Sequence, residues 1–215
     1  MSDDGLLWRE EDGWRLAVSS GLMRLEPYSV LAVEGGWQLY YNGFDGRTWA
    51  IYRARSKDGL QWQPEGKCQG LVVGKAGTKG GSVVETEGKK QLFFIRKDPD
   101  GEGLYTAQSM DGMHWHDVRR CSGYAIEGDA LLTSPRVIAT LDGEWRMFFS
   151  EWVDKSFVGM RIAGARSSDG IYWQREPRIV LEPGGRYDPH GVFCPQIVDS
   201  DTGQRMYYGG FWQRH

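Results

Sequence analysis

Reactive chemistry in this chain has to come mainly from carboxylates. Four acidic residues stand beside short apolar runs: Glu26 just before Tyr28-Ser29-Val30, Asp129 ahead of Arg136-Val137-Ile138, Glu151 after Trp145-Arg146-Met147-Phe148-Phe149, and Asp188 ahead of Pro195-Gln196-Ile197. Two carboxyl groups facing one cavity can divide the acid and base roles of a proton transfer. Tyr28, Asn42, Arg136, His190 and Gln196 are polar residues at comparable places, suited to hold a ligand. Arg136 could clamp a carboxylate or phosphate through its planar fork. His190 could move a proton. His114 and His116 flank Trp115, but that alternation lacks metal-ligand spacing. There is no Gly-rich phosphate loop, nucleophile elbow or paired-cysteine zinc motif, so neither a metal nor a cofactor is expected.

The elements that must position these groups repeat. Ser2-Asp3-Asp4-Gly5-Leu6-Leu7-Trp8 returns as Ser56–Trp62, Ser109–Trp115 and Ser167–Trp173, a Ser-x-Asp-Gly-x-x-Trp pattern at steps of 54, 53 and 58 residues. Upstream of the last three copies lie three short β-branched or aromatic runs split by Gly/Asp turns, and the Trp opens a fourth run. Four strands per unit predict a propeller blade, and the spacing fits a β-repeat array. Asp-Gly suits the turn between third and fourth strands, because Gly reaches positive φ cheaply and Asp bonds the turn's own backbone. The repeat tryptophans read as packing between blades rather than as sugar platforms. Cys68 and Cys121, six residues after their tryptophans, fit an apolar slot that Ile179 fills in the last copy.

Residues 1–215 read as one all-β propeller domain of four-stranded antiparallel blades, about four in number. A net charge of −3 with both signs interspersed gives no basic stripe, so neither nucleic acid nor a membrane surface is an expected partner. No apolar leader opens the chain, and three cysteines argue for reduced thiols; the expected compartment is the cytoplasm. The last unit has clear first and second runs, Pro195–Val198 and Arg205–Tyr208, then only Gly210–Arg214 for a third. The first Ser-x-Asp-Gly-x-x-Trp copy could supply its fourth strand and close the ring. Otherwise the thin blade could pair with a second copy as a homodimer.

Ala54–Trp62 and Ala165–Trp173 resemble the A-x-S-x-D-G-x-x-W turn of the five-bladed propeller glycosidases, which include arabinanases, β-xylosidases, invertases and mannoside phosphorylases. The resemblance spans nearly the whole chain, with material for about four blades. It implies a site in the central channel for a small carbohydrate or polyhydroxylated ligand, and carboxylates that protonate a leaving oxygen and activate water or attack. Glu26-Pro27 is similar to the family's acid segment and Asp188-Pro189 to its base segment, so the resemblance implies Glu26 as proton donor and Asp188 as base. Tyr28, Asn42, Asp129, Arg136, Glu151, His190 and Gln196 would then bind substrate. Aligning the inner runs sets Glu26-Pro27-Tyr28, Gly80-Gly81-Ser82, Ser134-Pro135-Arg136 and Cys194-Pro195-Gln196 at equivalent positions, with Asn42 matched to Glu151. Two other functions fit the same scaffold: a non-hydrolytic ligand-binding or assembly propeller, and a propeller recruited to a biosynthetic tailoring reaction.

Overall fold

The structure, a computed structural model, describes residues 2, 4–17, 21–71, 77–98, 101–124, 131–140, 142–152, 158–201 and 203–212. Among the described residues fourteen strands form four antiparallel sheets. Blade one is β1 (Arg24–Val33), β2 (Gly36–Phe44), β3 (Trp49–Ser56) and β4 (Gln63–Lys67). Blade two is β5 (Thr78–Thr86), β6 (Lys89–Asp98), β7 (Gly101–Ser109) and β8 (His116–Arg120). Blade three is β9 (Leu131–Ala139), β10 (Trp145–Trp152), β11 (Arg161–Ser167) and β12 (Gln174–Arg175). The last sheet has two strands, β13 (Gly191–Ser200) and β14 (Gly203–Phe211). Among the described residues no helix is long and apolar enough to cross a membrane.

The repeated turn does the mechanical work its residue types suggest. In the second copy Ser56 Oγ accepts from Gly59 N at 2.9 Å, and Asp58 Oδ1 accepts from Leu60 N and Gln61 N at 2.8 Å each. The same set recurs at Ser2/Asp4, Ser109/Asp111 and Ser167/Asp169. The four turn glycines lie at φ 71° to 75°, a region open to Gly and costly for other residues. Those backbone amides hold the Asp4, Asp58 and Asp169 carboxyls below their ordinary 3.8.

Each turn then packs on the preceding blade. Trp115 lies edge-on to Tyr40 with ring centroids 6.1 Å apart, and Trp173 to Phe93 at 5.6 Å. Cys68 and Cys121 fill the slots beneath, each thiol facing the carbonyl of the next blade's turn glycine, Gly112 or Gly170. Burial pushes the two thiols up to about 11 and about 12, so they remain protonated. In blade three the slot falls to Val180 instead of Ile179: Val180 N donates to Ile162 O as Cys68 N does to Ile51 O, because one more residue precedes it.

Two expectations about the last unit are corrected. Gly210 and Phe211 are not a third strand; they continue β14, paired with Val192 and Gly191. The first turn does not complete the β13–β14 sheet either. Trp8 lies edge-on to Tyr207 at 6.2 Å, as Trp115 does to Tyr40 and Trp173 to Phe93. Trp62 N donates to Arg15 O as Trp115 N does to Gln69 O and Trp173 N to Ser122 O. Arg15, Gln69 and Ser122 each stand seven residues after a repeat Trp. Residues 4–15 therefore sit between β14 and blade one as the outer turn of a further blade does.

Candidate functional site in the channel

The innermost strands β1, β5, β9 and β13 run the same way around the axis, a consequence of identically wound blades, so their leading ends share one face. A bulge near each leading end sets the register: Ser29 opposes Tyr40, Ser82 opposes Phe93, Arg136 opposes Phe148 and Gln196 opposes Tyr207. This shifts the alignment expected from sequence by one residue in blade one, because β1 bulges at Tyr28. Tyr28, not Pro27, matches Gly81, Pro135 and Pro195, and Glu26 matches Lys79, Thr133 and Phe193. By the same pairing Ser150, rather than Glu151, is the counterpart of Asn42.

Ser29 and Ser82 stitch neighbouring inner strands. Each hydroxyl accepts from the next strand, Val83 N and Val137 N, at 3.1 Å. Asn42 Oδ1 accepts from Gly80 N at 2.6 Å and Ser150 Oγ from Cys194 N at 2.8 Å, so both tie a second strand to the following blade. Asn42 is buried, and its side-chain oxygen is engaged in this junction.

Glu151 is fully buried and is engaged within its own blade. Arg161 reaches it at 2.7 Å, and Arg175 makes a two-point contact at 2.7 and 3.0 Å. Burial alone would raise its carboxyl; the Arg175 and Arg161 guanidinium groups outweigh that and hold it below its ordinary value. Its oxygens face the outer strands of its own blade. Asp129 lies outside the described residues.

Glu26 is exposed at the leading end of β1. Across the axis stand Ser134 and Cys194, both at positive φ, with Oγ and Sγ 3.2 Å apart. Burial raises the Cys194 thiol, the Ser134 contact opposes this, and the Glu26 charge adds to it. Asp188 lies just ahead of β13 on the same face. It is 6% exposed; Oδ2 accepts from the Tyr208 hydroxyl at 2.7 Å, and Oδ1 is hidden without a hydrogen-bond partner. Gly185 and Gly210 make room, since a Cβ on Gly185 would come 2.3 Å from Oδ1. His190 is half-buried, and its backbone joins Phe211 O and Gly159 N.

Tyr28, Arg136 and Gln196 are brought together. They line a cavity of about 340 Å³ with Ser29, Val30 and Ile197 between β1 and β13. The Tyr28 hydroxyl and Arg136 Nε are hidden without hydrogen-bond partners. Burial holds the Arg136 guanidinium below its ordinary value, with Asp199 opposing, and burial pushes the Tyr28 hydroxyl well up. A cavity of about 390 Å³ at the outer turn of blade one is lined by Ser56 and Asp58, whose oxygens already serve that turn. Among the described residues no cluster of His, Cys, Asp and Glu could hold a metal ion. Tyr208 was missed in the sequence because it occupies the slot of Tyr41, Phe94 and Phe149; its hydroxyl group was the available signal, but only the fold brings Asp188 beside it.

Compared by sequence, the chain matches no family profile and no curated protein. Compared by fold, it is similar to an endo-arabinase from Bacteroides thetaiotaomicron, with 15% identity and a TM-score of 0.70 over 95% of this chain and 82% of that one. It is also similar to an N-acetylgalactosamine deacetylase from F. plautii, solved with blood group B trisaccharide: 14% identity, TM-score 0.68, 83% of this chain and 61% of that one. A third is a Bombyx mori GH32 beta-fructofuranosidase, at 17% identity and TM-score 0.65, over 88% of this chain and 42% of that one. The chain thus spans less than two thirds of the last two. Such identities carry the fold, that of the propeller glycoside hydrolases, and nothing finer.

Proposed function

We propose that this propeller acts on a small carbohydrate at the face where the inner strands begin, as a glycoside hydrolase with Asp188 as base and Glu26 as proton donor. The observation carrying the reading is Asp188: a buried carboxylate with one oxygen fixed by Tyr208 and the other unengaged. A carboxylate held by Tyr208 is oriented, and its partnerless oxygen is the one that would take a proton from water or attack once substrate binding brings the reacting atoms to it, while the exposed Glu26 on the same face can protonate a leaving oxygen. Arg136, Tyr28 and Gln196, with their hidden polar groups, would grip hydroxyls further along the channel.

The test is hydrolysis of a panel of aryl glycosides by the wild type, Asp188→Asn and Glu26→Gln. Each substitution should lower kcat about 10²- to 10⁴-fold with the thermal unfolding midpoint nearly unchanged. Undiminished activity in Asp188→Asn would remove it from the chemistry. A second reading, a binding propeller without turnover, is favoured by Glu151, whose oxygens are spent on Arg161 and Arg175, leaving two described carboxylates at the mouth. Binding of oligosaccharides without hydrolysis of any would decide for it.

A further inference from the structure

The face that carries Glu26 and Asp188 also carries a basic groove. β1 begins opposite the end of β2, so the β2–β3 hairpin stands at that face, and the β6–β7 hairpin of blade two does likewise. Between them lies a cavity of about 290 Å³ lined by Arg47, Trp49, Lys79, Lys97 and Glu102. Lys79 occupies in blade two the register position that Glu26 occupies in blade one. Its ammonium reaches across the blade boundary and rests 4.6 Å above the Trp49 ring, which fixes a cation at the groove wall.

Arg53, Arg96, Arg146, Arg161 and Arg175 all have carboxylate partners, whereas no ion pair among the described residues involves Arg47, Lys79 or Lys97. Lys97 stands opposite Glu102 in the sheet without bonding it, and the Asp45 Oδ1 nearby is taken by the Arg47 and Thr48 amides. Three cations without an ion-pair partner therefore line one concavity against a single carboxylate, Glu102, in a chain of net charge −3. Converging like charges repel one another and raise the potential within a groove, which is relieved when an anion enters.

We propose that this groove holds the anionic group of a charged sugar, a carboxylate or a phosphate, beside the channel. The inference rests on the channel being a carbohydrate site and names the class of carbohydrate: one carrying negative charge at a position away from the bond that reacts. Arg47 and Lys97 supply donors from the two hairpins, and Lys79 closes the side nearest the channel.

The test is calorimetric titration at low ionic strength with glucose 6-phosphate, trigalacturonate and neutral maltotriose. One anionic probe should bind the wild type, and which one distinguishes phosphate from carboxylate. Its Kd should rise about tenfold in a Lys79→Ala/Lys97→Ala double variant, the loss expected for bonds to a charged group. It should also weaken in about 0.5 M salt, where exposed charges are screened. Absence of binding by both anionic probes overturns the proposal, as does equal binding by the double variant. The two readings separate cleanly: anion binding without turnover of any glycoside sinks the hydrolase alone, while turnover of neutral glycosides without anion binding sinks the groove alone.

Discussion

Among the described residues Asp188, held by Tyr208, is the one oriented carboxylate at the channel mouth, and their bond can be tested without a substrate. The hydroxyl donates to Oδ2 at 2.7 Å, and this bond, with burial second, raises the Tyr208 hydroxyl above its ordinary 10.0, since losing the proton would set two negative charges side by side. Because the folded value lies above the unfolded one, the native state keeps this proton longer. Its contribution to stability is complete below pH 10 and is lost as the pH rises beyond that. In Asp188→Asn the tyrosine should titrate closer to 10, read from the ultraviolet phenolate band with Tyr208→Phe assigning the signal. A titration that stays where it was would mean that the bond does not form in solution. Legibility at this scale was uneven. Asp188 stood out from its Asp-Pro context, but its orienting partner lies 20 residues on in a slot that otherwise holds only packing aromatics. Glu151 and Asn42 looked equally available in sequence, but Asn42 is engaged across a blade junction and Glu151 within its own blade, each through partners on other strands.

The blade is the element that the sequence declares most openly, because its turn is local. Ser, Asp and Gly bond within seven residues, so the pattern alone located every third-to-fourth strand turn. What followed each turn was legible only in part. A strand bulge shifts register without changing composition, so the inner-strand alignment slipped at Tyr28, and one additional loop residue moved the slot from Ile179 to Val180. Junctions between blades are set by backbone approach. Gly70 lies at φ 84°, and a Cβ there would come 1.9 Å from Trp115 O, a backbone atom of the next blade's turn. Gly88, in the β5–β6 hairpin at φ 75°, has open space around it. Alanine at position 88 should cost about 1 kcal/mol from backbone strain alone. Alanine at position 70 should cost about 3 kcal/mol or more, since it adds displacement of the neighbouring blade. Urea unfolding of the two variants measures the difference, and equal costs would show that the junction yields freely.

Across the whole ring, equivalent positions report where one blade covers the next. Val83, Val137 and Ile197 follow the matched inner positions Ser82, Arg136 and Gln196, and are 2%, 1% and 7% exposed, each covered by the preceding blade. Val30 follows Ser29 in the same register and is 46% exposed. On the other flank, Tyr207 is half-buried where its counterparts Tyr40, Phe93 and Phe148 are buried by the next blade. Both departures border the sector between β14 and β1, into which residues 4–15 project their turn. The sequence suggested a closing N-terminal segment but not its position, because Trp8 finds Tyr207 at a separation that no local pattern encodes. The Arg136 cavity opens into this same sector through Val30 and Val198. Burial then fixes what truncation should cost. Val83→Ala removes about two methyl groups' worth of covered surface and should destabilise by about 2 kcal/mol. Val30→Ala, on an uncovered flank, should stay within about 0.5 kcal/mol. Comparable losses at the two positions would mean that a further layer of structure lies over β1 in solution, in which case Arg136 faces a closed channel and the ligand reaches it only from the mouth where Glu26 and Asp188 stand.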